Sequence, residues 1–340
     1  MWADVRKRLN ASRADLGVVA DGLYPGATRA GSTALLTRPE WIVTNPIPLE
    51  AVRLEWEPEP EPPAVADPPE GLPAGFRTYA EAMAALAPPA VFENRRAYRL
   101  LDANLDTGLG ATVLRLGPAY YFDAVNVGES AAHELAAHEL AEEAAGLPLR
   151  TRLGDPCDLA RRAALPAITT VTVRAGDPAS YVLHWRDPEK VAHAGGLYQV
   201  MPVGVFQPLG DDVDDLDLWG SMKREYSEEF LGNDEVLDRH EPRFASFARD
   251  FDAARGAGEV RPYVLGLGVD PLTFALDLLT AVVIEPGTFD RLFAGLVQEN
   301  DEGKVAMAPF DGTVPQPMQP AGAAALDLAR RHRGSLLRRT

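Results

Sequence analysis

Arg224, Glu225, Glu228 and Glu229 are the side chains whose types and spacing best suit chemistry. On a helix, Glu225, Glu228 and Glu229 fall at i, i+3 and i+4 and share one face. Carboxylates so placed repel one another by roughly a few tenths of a kcal/mol per pair. Arg224, at i+4 to Glu228, offsets this locally. Leu218, Trp219, Met222, Tyr226 and Phe230 form a packing stripe on the other side. Asp215 or Asp217 can cap the start of this helix and Gly232 can end it. A helix buried along one side with three carboxylates on the other suits a hard divalent cation. Mg2+, with Mn2+ as the alternative ion, takes oxygen ligands and shares them with substrate phosphates. The plain alternative is a solvated acidic helix face.

The stretch Trp219–Gly232, WGSMKREYSEEFLG, resembles the Nudix box. In that box a glycine is followed after five residues by a glutamate. Seven residues later come Arg-Glu, an apolar residue, any residue, Glu-Glu, any residue, Gly and an apolar residue. The core fits at Arg224–Glu229, and Gly210 falls on the first glycine. Leu216 stands where the first glutamate belongs, Leu231 where the later glycine belongs, and Gly232 arrives one residue late. An alternative alignment uses Gly195 and Gly196 as the glycine entry, with Leu197–Pro208 inserted; both glycines are then candidate substrate-binding positions. The chain is similar in this respect to bacterial regulators that carry a degenerate Nudix-like domain, often behind a DNA-binding module.

The resemblance implies an α+β fold, a Nudix-like α/β/α sandwich with a mixed sheet, preceded by an N-terminal α+β region. It implies Mg2+-dependent hydrolysis of a nucleoside diphosphate linked to another group. Glu228 and Glu229 would then hold metal, Glu225 would hold metal or take a proton from water, and Arg224 would fix the helix face. The alternative is a non-catalytic nucleotide-binding sensor or transcriptional regulator, in which the same pocket binds ligand and the N-terminal part signals. Either way the partner is a nucleotide-derived small molecule.

The composition limits the alternatives. Fifty Asp and Glu against 33 Lys and Arg give a formal charge of −17, which argues against broad nucleic-acid binding, a job for a basic surface. The single cysteine, Cys157, rules out an internal disulfide or a Cys-rich zinc site. The start, MWADVRKRLNAS, lacks the apolar region of a secretory signal. The apolar run Leu272–Ile284 is interrupted by Asp277 and too short to span a bilayer. A cytoplasmic, non-membrane protein is expected. Oligomeric state is not legible.

In chain order, residues 1–56 form an N-terminal segment with a short basic helix over 1–15. No second helix of a helix-turn-helix is recognisable. Short strands are expected at Trp41–Val43 and Val52–Trp56. Residues 57–75, with seven prolines and five acidic residues, read as an extended, solvated linker. Residues 76–160 read as a helical or α+β region, with helices at Thr78–Leu86, Phe92–Leu101 and Glu129–Ala145 and a strand at Ala111–Leu116. The last helix carries HELAAHE, which at first sight suggests a zinc motif. His133 and His138 are five apart, and five helical residues leave their rings about 140° apart, so they cannot share one ion. Packing is the expected role, with i+4 pairs between Glu134 and His138 and between His138 and Glu142.

Residues 161–340 read as the Nudix-like domain. Strands are expected at Ala167–Val173, Tyr181–Trp185, Tyr198–Phe206, Tyr263–Val269, Leu278–Ile284 and Val305–Met307. Helices are expected at Arg243–Ala254, Thr288–Leu296 and Ala321–His332. His184 and His193 would flank the pocket, and the Arg-rich tail beyond Ala329 reads as a solubilising end.

Overall fold

β-Branched residues concentrate in Ala167–Val173 and Leu276–Ile284, and these two segments form the centre of a mixed sheet. The computed structural model describes residues 2–89, 91–105, 112–141, 146–186, 196–209, 216–233, 240–300 and 303–338.

The N-terminus opens with α1 (Trp2–Ala11) and α2 (Arg13–Gly22). Short strands β1 (Thr28–Arg29), β2 (Leu36–Thr37), β3 (Ile42–Pro48) and β4 (Val52–Trp56) follow. The helix α2, which the sequence reading did not find, buries Leu16 and Ala20, with Leu9 of α1 beside them in the same apolar cluster. Strands β2 and β3 pair with a strand more than 200 residues away, so residues 1–56 are joined to the main sheet.

Residues 57–75 form no helix or strand, as their proline content requires. They are nonetheless tied down. The N–H groups of Ala64 and Val65 donate to Ala160 and Arg161 carbonyls at 3.0 and 2.9 Å. Val65 is buried, Asp67 accepts from Asn126, and Glu70 pairs with Arg152. Most of the stretch is exposed, as its composition suggested, but these contacts hold it as a strap.

Next come α3 (Tyr79–Leu86), β5 (Arg96–Asn104), β6 (Thr112–Tyr120), α4 (Tyr121–Leu140) and α5 (Pro148–Leu153). The expected helix at Phe92–Leu101 is instead largely β5, because Tyr98 and Leu100 pair against β6 and enter the core. Strands β4, β6 and β5 make a separate three-stranded sheet. Helix α4 carries a buried Ala, Val and Leu face onto which α1, α2 and α3 pack.

The main sheet continues with β7 (Pro166–Arg174), β8 (Ser180–Arg186), β9 (Tyr198–Val200) and β10 (Val203–Val205). Helix α6 (Leu218–Glu225) runs on into a π-helical turn, Tyr226–Phe230. Then follow α7 (Pro242–Gly256), β11 (Val260–Val269), β12 (Leu276–Ile284), α8 (Pro286–Leu292), β13 (Glu299–Asn300), β14 (Gly303–Pro309), α9 (Pro320–Arg331) and α10 (Arg333–Leu336). The strand order is β1-β2-β11-β12-β7-β8-β14-β13, with β3 on β11, β10 on β7 and β9 on β8. The β12–β7 pair is parallel and the others antiparallel. Every residue of β12 is buried, as expected of a central strand covered on both faces. One face packs against Trp219 and Met222 of α6, Tyr226 of the π-helical turn, and Phe247 and Phe251 of α7. The other packs against Ala324, Ala325 and Leu328 of α9. The fold is α+β, a mixed sheet between helical layers, with an N-terminal α+β region ahead of it.

Strands β7 and β8 pair only at Val173–Tyr181 and Arg174–Ser180. Beyond that point they diverge, and β9 and β10 fill the gap. The chain crosses from β9 to β10 through Met201 and Pro202, and the Pro202 carbonyl accepts from Thr170 N–H at 3.1 Å. This split in the sheet brings β10 under the acidic helix.

Candidate functional site

The acidic helix starts where Asp217 accepts the Trp219 N–H at 2.9 Å; Asp215 lies outside the described residues. It ends at Gly232, whose positive φ of 64° lets its N–H reach the Glu228 carbonyl at 3.1 Å. Tyr226 anchors it to the sheet. Thr172 Oγ1 donates to the Met201 carbonyl at 2.8 Å, so the Tyr226 hydroxyl, 2.7 Å away, donates to Thr172. Burial holds the Tyr226 phenol above its ordinary pKa.

The turn that follows is wider than an α-turn. Four α-helical residues rotate by about 400°. The π turn rotates less per residue, so Glu229 returns closer to line with Glu225 than an α-helix would allow. Such turns recur at functional sites.

Arg224, Glu225 and Glu229 all engage β10 or the residues just after it. Arg224 is buried and donates from Nη2 to the Gln207 carbonyl at 2.9 Å. Glu229 Oε1 accepts the Val203 N–H at 3.1 Å. The Glu225 carboxylate lies over Gly204, where a Cβ would sit 2.0 Å from its Cδ. The glycine facing the helix is therefore Gly204, which the sequence reading did not single out. Its signal was the small residue between two valines just after a proline. Of the glycines expected here, Gly196 has φ 79° and donates to the Arg186 carbonyl at 2.7 Å, which makes it a turn residue ahead of β9. Gly195 and Gly210 lie outside the described residues.

Glu225, Glu228 and Glu229 are half-buried and line one cleft of about 1660 Å3, with Gly204, Arg186 and Asp277 also on its walls. Among the described residues, no three His, Cys, Asp or Glu side chains gather as a closed metal site. Glu225, Glu228 and Glu229 share a cleft wall without forming a closed cage. Mg2+ does not require one, since it commonly uses one or two carboxylates and completes its shell with water and substrate phosphate. The donor set fits an ion shared with a ligand.

Leu216, at the position of the missing glutamate, packs half-buried against the core. His184 is buried in β8 beside Val305 and Gln199 in the strand register; it is not among the cleft-lining residues. His193 lies outside the described residues. His133 is buried, stacked on Trp2 and 3.0 Å from the Tyr79 hydroxyl. Burial, with Arg6 adding to it, pushes its pKa down to about 4. Glu134 accepts the Leu149 and Arg150 N–H groups at the start of α5. These contacts give His133 and Glu134 packing and capping roles.

Asp277 is a site residue that only the fold exposes. It interrupts an otherwise apolar and Thr-bearing central strand and accepts from Thr169 Oγ1 at 2.7 Å. Burial pushes its carboxyl up to about 7, and Asp270 adds to the effect. A buried carboxyl with a raised pKa on a cleft wall is a candidate for ligand contact or proton transfer.

No protein-family model matches the chain, and no curated protein matches it. Among solved structures the chain is similar to a Nudix hydrolase from M. smegmatis, RenU, at 14% identity and a TM-score of 0.31. The likeness covers 52% of this chain and 89% of that one. A likeness at this level is too slight to identify the chain.

Proposed function

We propose that this chain is a Mg2+-dependent hydrolase acting on a nucleoside diphosphate-linked compound, with the cleft beside Glu225, Glu228 and Glu229 as its site. The observation that carries the reading is the gripping of β10 by the acidic turn, which presents three glutamates along one cleft wall. Arg224 is a positioning residue: its bond to the Gln207 carbonyl fixes the helix against the strand. Glu228 and Glu229 are the residues that would hold the ion, and Glu225 would hold it or accept a proton from the attacking water. Bound Mg2+ would screen the carboxylates from an anionic substrate and polarise a phosphoryl oxygen. Gly204 leaves the space in which the Glu225 carboxylate sits.

A second reading is a non-catalytic nucleotide sensor using the same cleft. Leu216 favours it, because an apolar side chain packed on the core occupies the position of the box's first glutamate. The test is a panel of nucleoside diphosphate compounds assayed for Mg2+-dependent release of phosphate or nucleoside monophosphate. Turnover that Glu228→Gln reduces by at least about tenfold supports the enzyme. Mg2+-dependent binding without turnover supports the sensor. Absence of both metal and nucleotide binding refutes the site.

A further inference from the structure

The cleft is larger than the roughly 300–1,000 Å3 of a typical ligand pocket, and its far end is chemically unlike the acidic turn. There Arg6 of α1 and Arg13 of α2 lie beside α4, and both are buried. Both guanidinium groups bond to one carboxylate oxygen, Glu129 Oε2, with Arg13 Nη2 at 2.8 Å. Arg6 also reaches the Tyr79 hydroxyl at 3.4 Å, and Arg13 the Asn10 side chain at 3.4 Å.

Two buried cations against one bonded carboxylate leave an excess positive charge in a chain whose formal charge is −17. Removing a charge from water costs several kcal/mol unless it is paired. Burial works against the Arg6 charge, but Glu129 and the Tyr79 hydroxyl outweigh it. The unmatched charge therefore rests on Arg13, which shares the same carboxylate oxygen. The neighbouring His133 adds no charge near neutral pH, because burial keeps it neutral. Arg13 Nε and Nη1 and Arg6 Nε are buried with no hydrogen-bond partner. Buried donors are as a rule hydrogen-bonded in folded proteins, although Arg99, Arg261 and Arg330 also keep unpartnered nitrogens. The cleft around the pair is apolar, with Met83, Phe92 and Val125 on its walls and Val18 and Val91 on its rim, 75% and 71% exposed. Asp15, exposed, is the acidic side chain on α2 that also lines it.

We propose that Arg6 and Arg13 form the head-group site of a second ligand, an organic anion with an apolar body, held between α2, α4 and the segment around Phe92. Guanidinium forks donate to carboxylate and phosphate oxygens alike, so the ligand class is an acyl carboxylate or an alkyl or aryl phosphate. The site is independent of the acidic turn and of any metal.

The test is isothermal titration of the full chain in EDTA at fixed ionic strength, with decanoate, decyl phosphate, decanol and inorganic phosphate as probes. One or both amphiphilic anions are expected to bind, which also separates the carboxylate from the phosphate source. Decanol and inorganic phosphate are expected to bind at least about tenfold more weakly. Arg13→Gln should weaken anion binding about tenfold, and Arg13→Lys, which keeps the charge and loses the fork, should weaken it less. Glu129→Gln should strengthen it, because the carboxylate that competes for both guanidiniums is neutralised. A purely structural ion pair predicts the reverse for Glu129→Gln: lower thermal stability and no gain in binding. Equal binding of decanol and decanoate, or no binding of either anion to wild type and Glu129→Gln, overturns the proposal.

Discussion

Asp277 and His133 should impose opposite pH dependences on stability, and single substitutions should separate them. Asp277 has a folded pKa near 7 against 3.8 for an ordinary carboxyl, because the buried strand favours its neutral form. Its stabilising contribution is therefore complete below the unfolded value and is lost as pH rises toward 7. About three pKa units correspond to roughly 4 kcal/mol over the whole range. His133 has a folded pKa near 4 against an ordinary 6.5, because burial favours its neutral form. Its contribution is present above pH 6.5 and is lost as pH falls toward 4, roughly 3 kcal/mol in all. Between these limits the two slopes oppose, so the wild-type profile is flatter than either alone.

Asp277→Asn keeps an acceptor for Thr169 and removes the titration. Urea unfolding of wild type and variant at pH 5 and pH 7.5 gives the difference directly, and contributions from other groups cancel in it. The variant is expected to gain about 2–3 kcal/mol relative to wild type over that interval. His133→Gln should lose its deficit relative to wild type as pH falls. A difference between wild type and Asp277→Asn that does not change with pH would refute the buried-carboxyl reasoning, since an Asp open to water titrates at nearly the same pH folded or unfolded.

Three other outcomes are expected. Glu228→Gln should reduce the rise in melting temperature caused by Mg2+ with nucleotide, as measured by calorimetry, because a ligand specific to the folded state stabilises it by mass action; an unchanged shift means the ion binds elsewhere. Gly204→Ala should cost about 1–3 kcal/mol by urea unfolding and weaken the Mg2+ response, since its Cβ would displace the Glu225 carboxylate; unchanged stability would mean that Glu225 does not lie over β10. Limited proteolysis should spare the bonds around Val65 in wild type and cut them in Val65→Asp, because the strap is held by that buried side chain; early cutting in wild type would show a mobile linker.

The parts of the fold legible in sequence were those with a local signal. The β-branched run at Ala167–Val173 and the periodic stripe from Leu218 to Phe230 each state their own structure. What was missed depends on distant partners. β5 reads as a helix until β6 supplies the pairing that makes it a strand. The tethering of the proline-rich strap was not legible because its anchoring carbonyls, on Ala160 and Arg161, lie about a hundred residues away in sequence. The acidic cluster was legible because its members are neighbours on one helix. Gly204 was not, because its role is to make room for a carboxylate on another element. The Arg6 and Arg13 pairings with Glu129 span 123 and 116 residues, and no local pattern announces them.

The two ends of the cleft pose opposite electrostatic problems. At the acidic turn, an anionic ligand meets three carboxylates and needs a cation brought from solution before it can approach. At the α1–α2 end, the positive charge is built in and already buried. Salt should therefore act differently on the two. Screening weakens an attraction between exposed charges over a Debye length of about 10 Å at 0.1 M, and acts far less on buried pairs. Nucleotide binding at the half-buried glutamates should respond to Mg2+ concentration more than to sodium chloride. Anion binding at the Arg pair should ignore Mg2+ and tolerate moderate salt, since the guanidiniums are almost wholly out of water. A single titration series in two salts thus reports on both ends. If both binding events follow Mg2+ together, the cleft holds one site and not two.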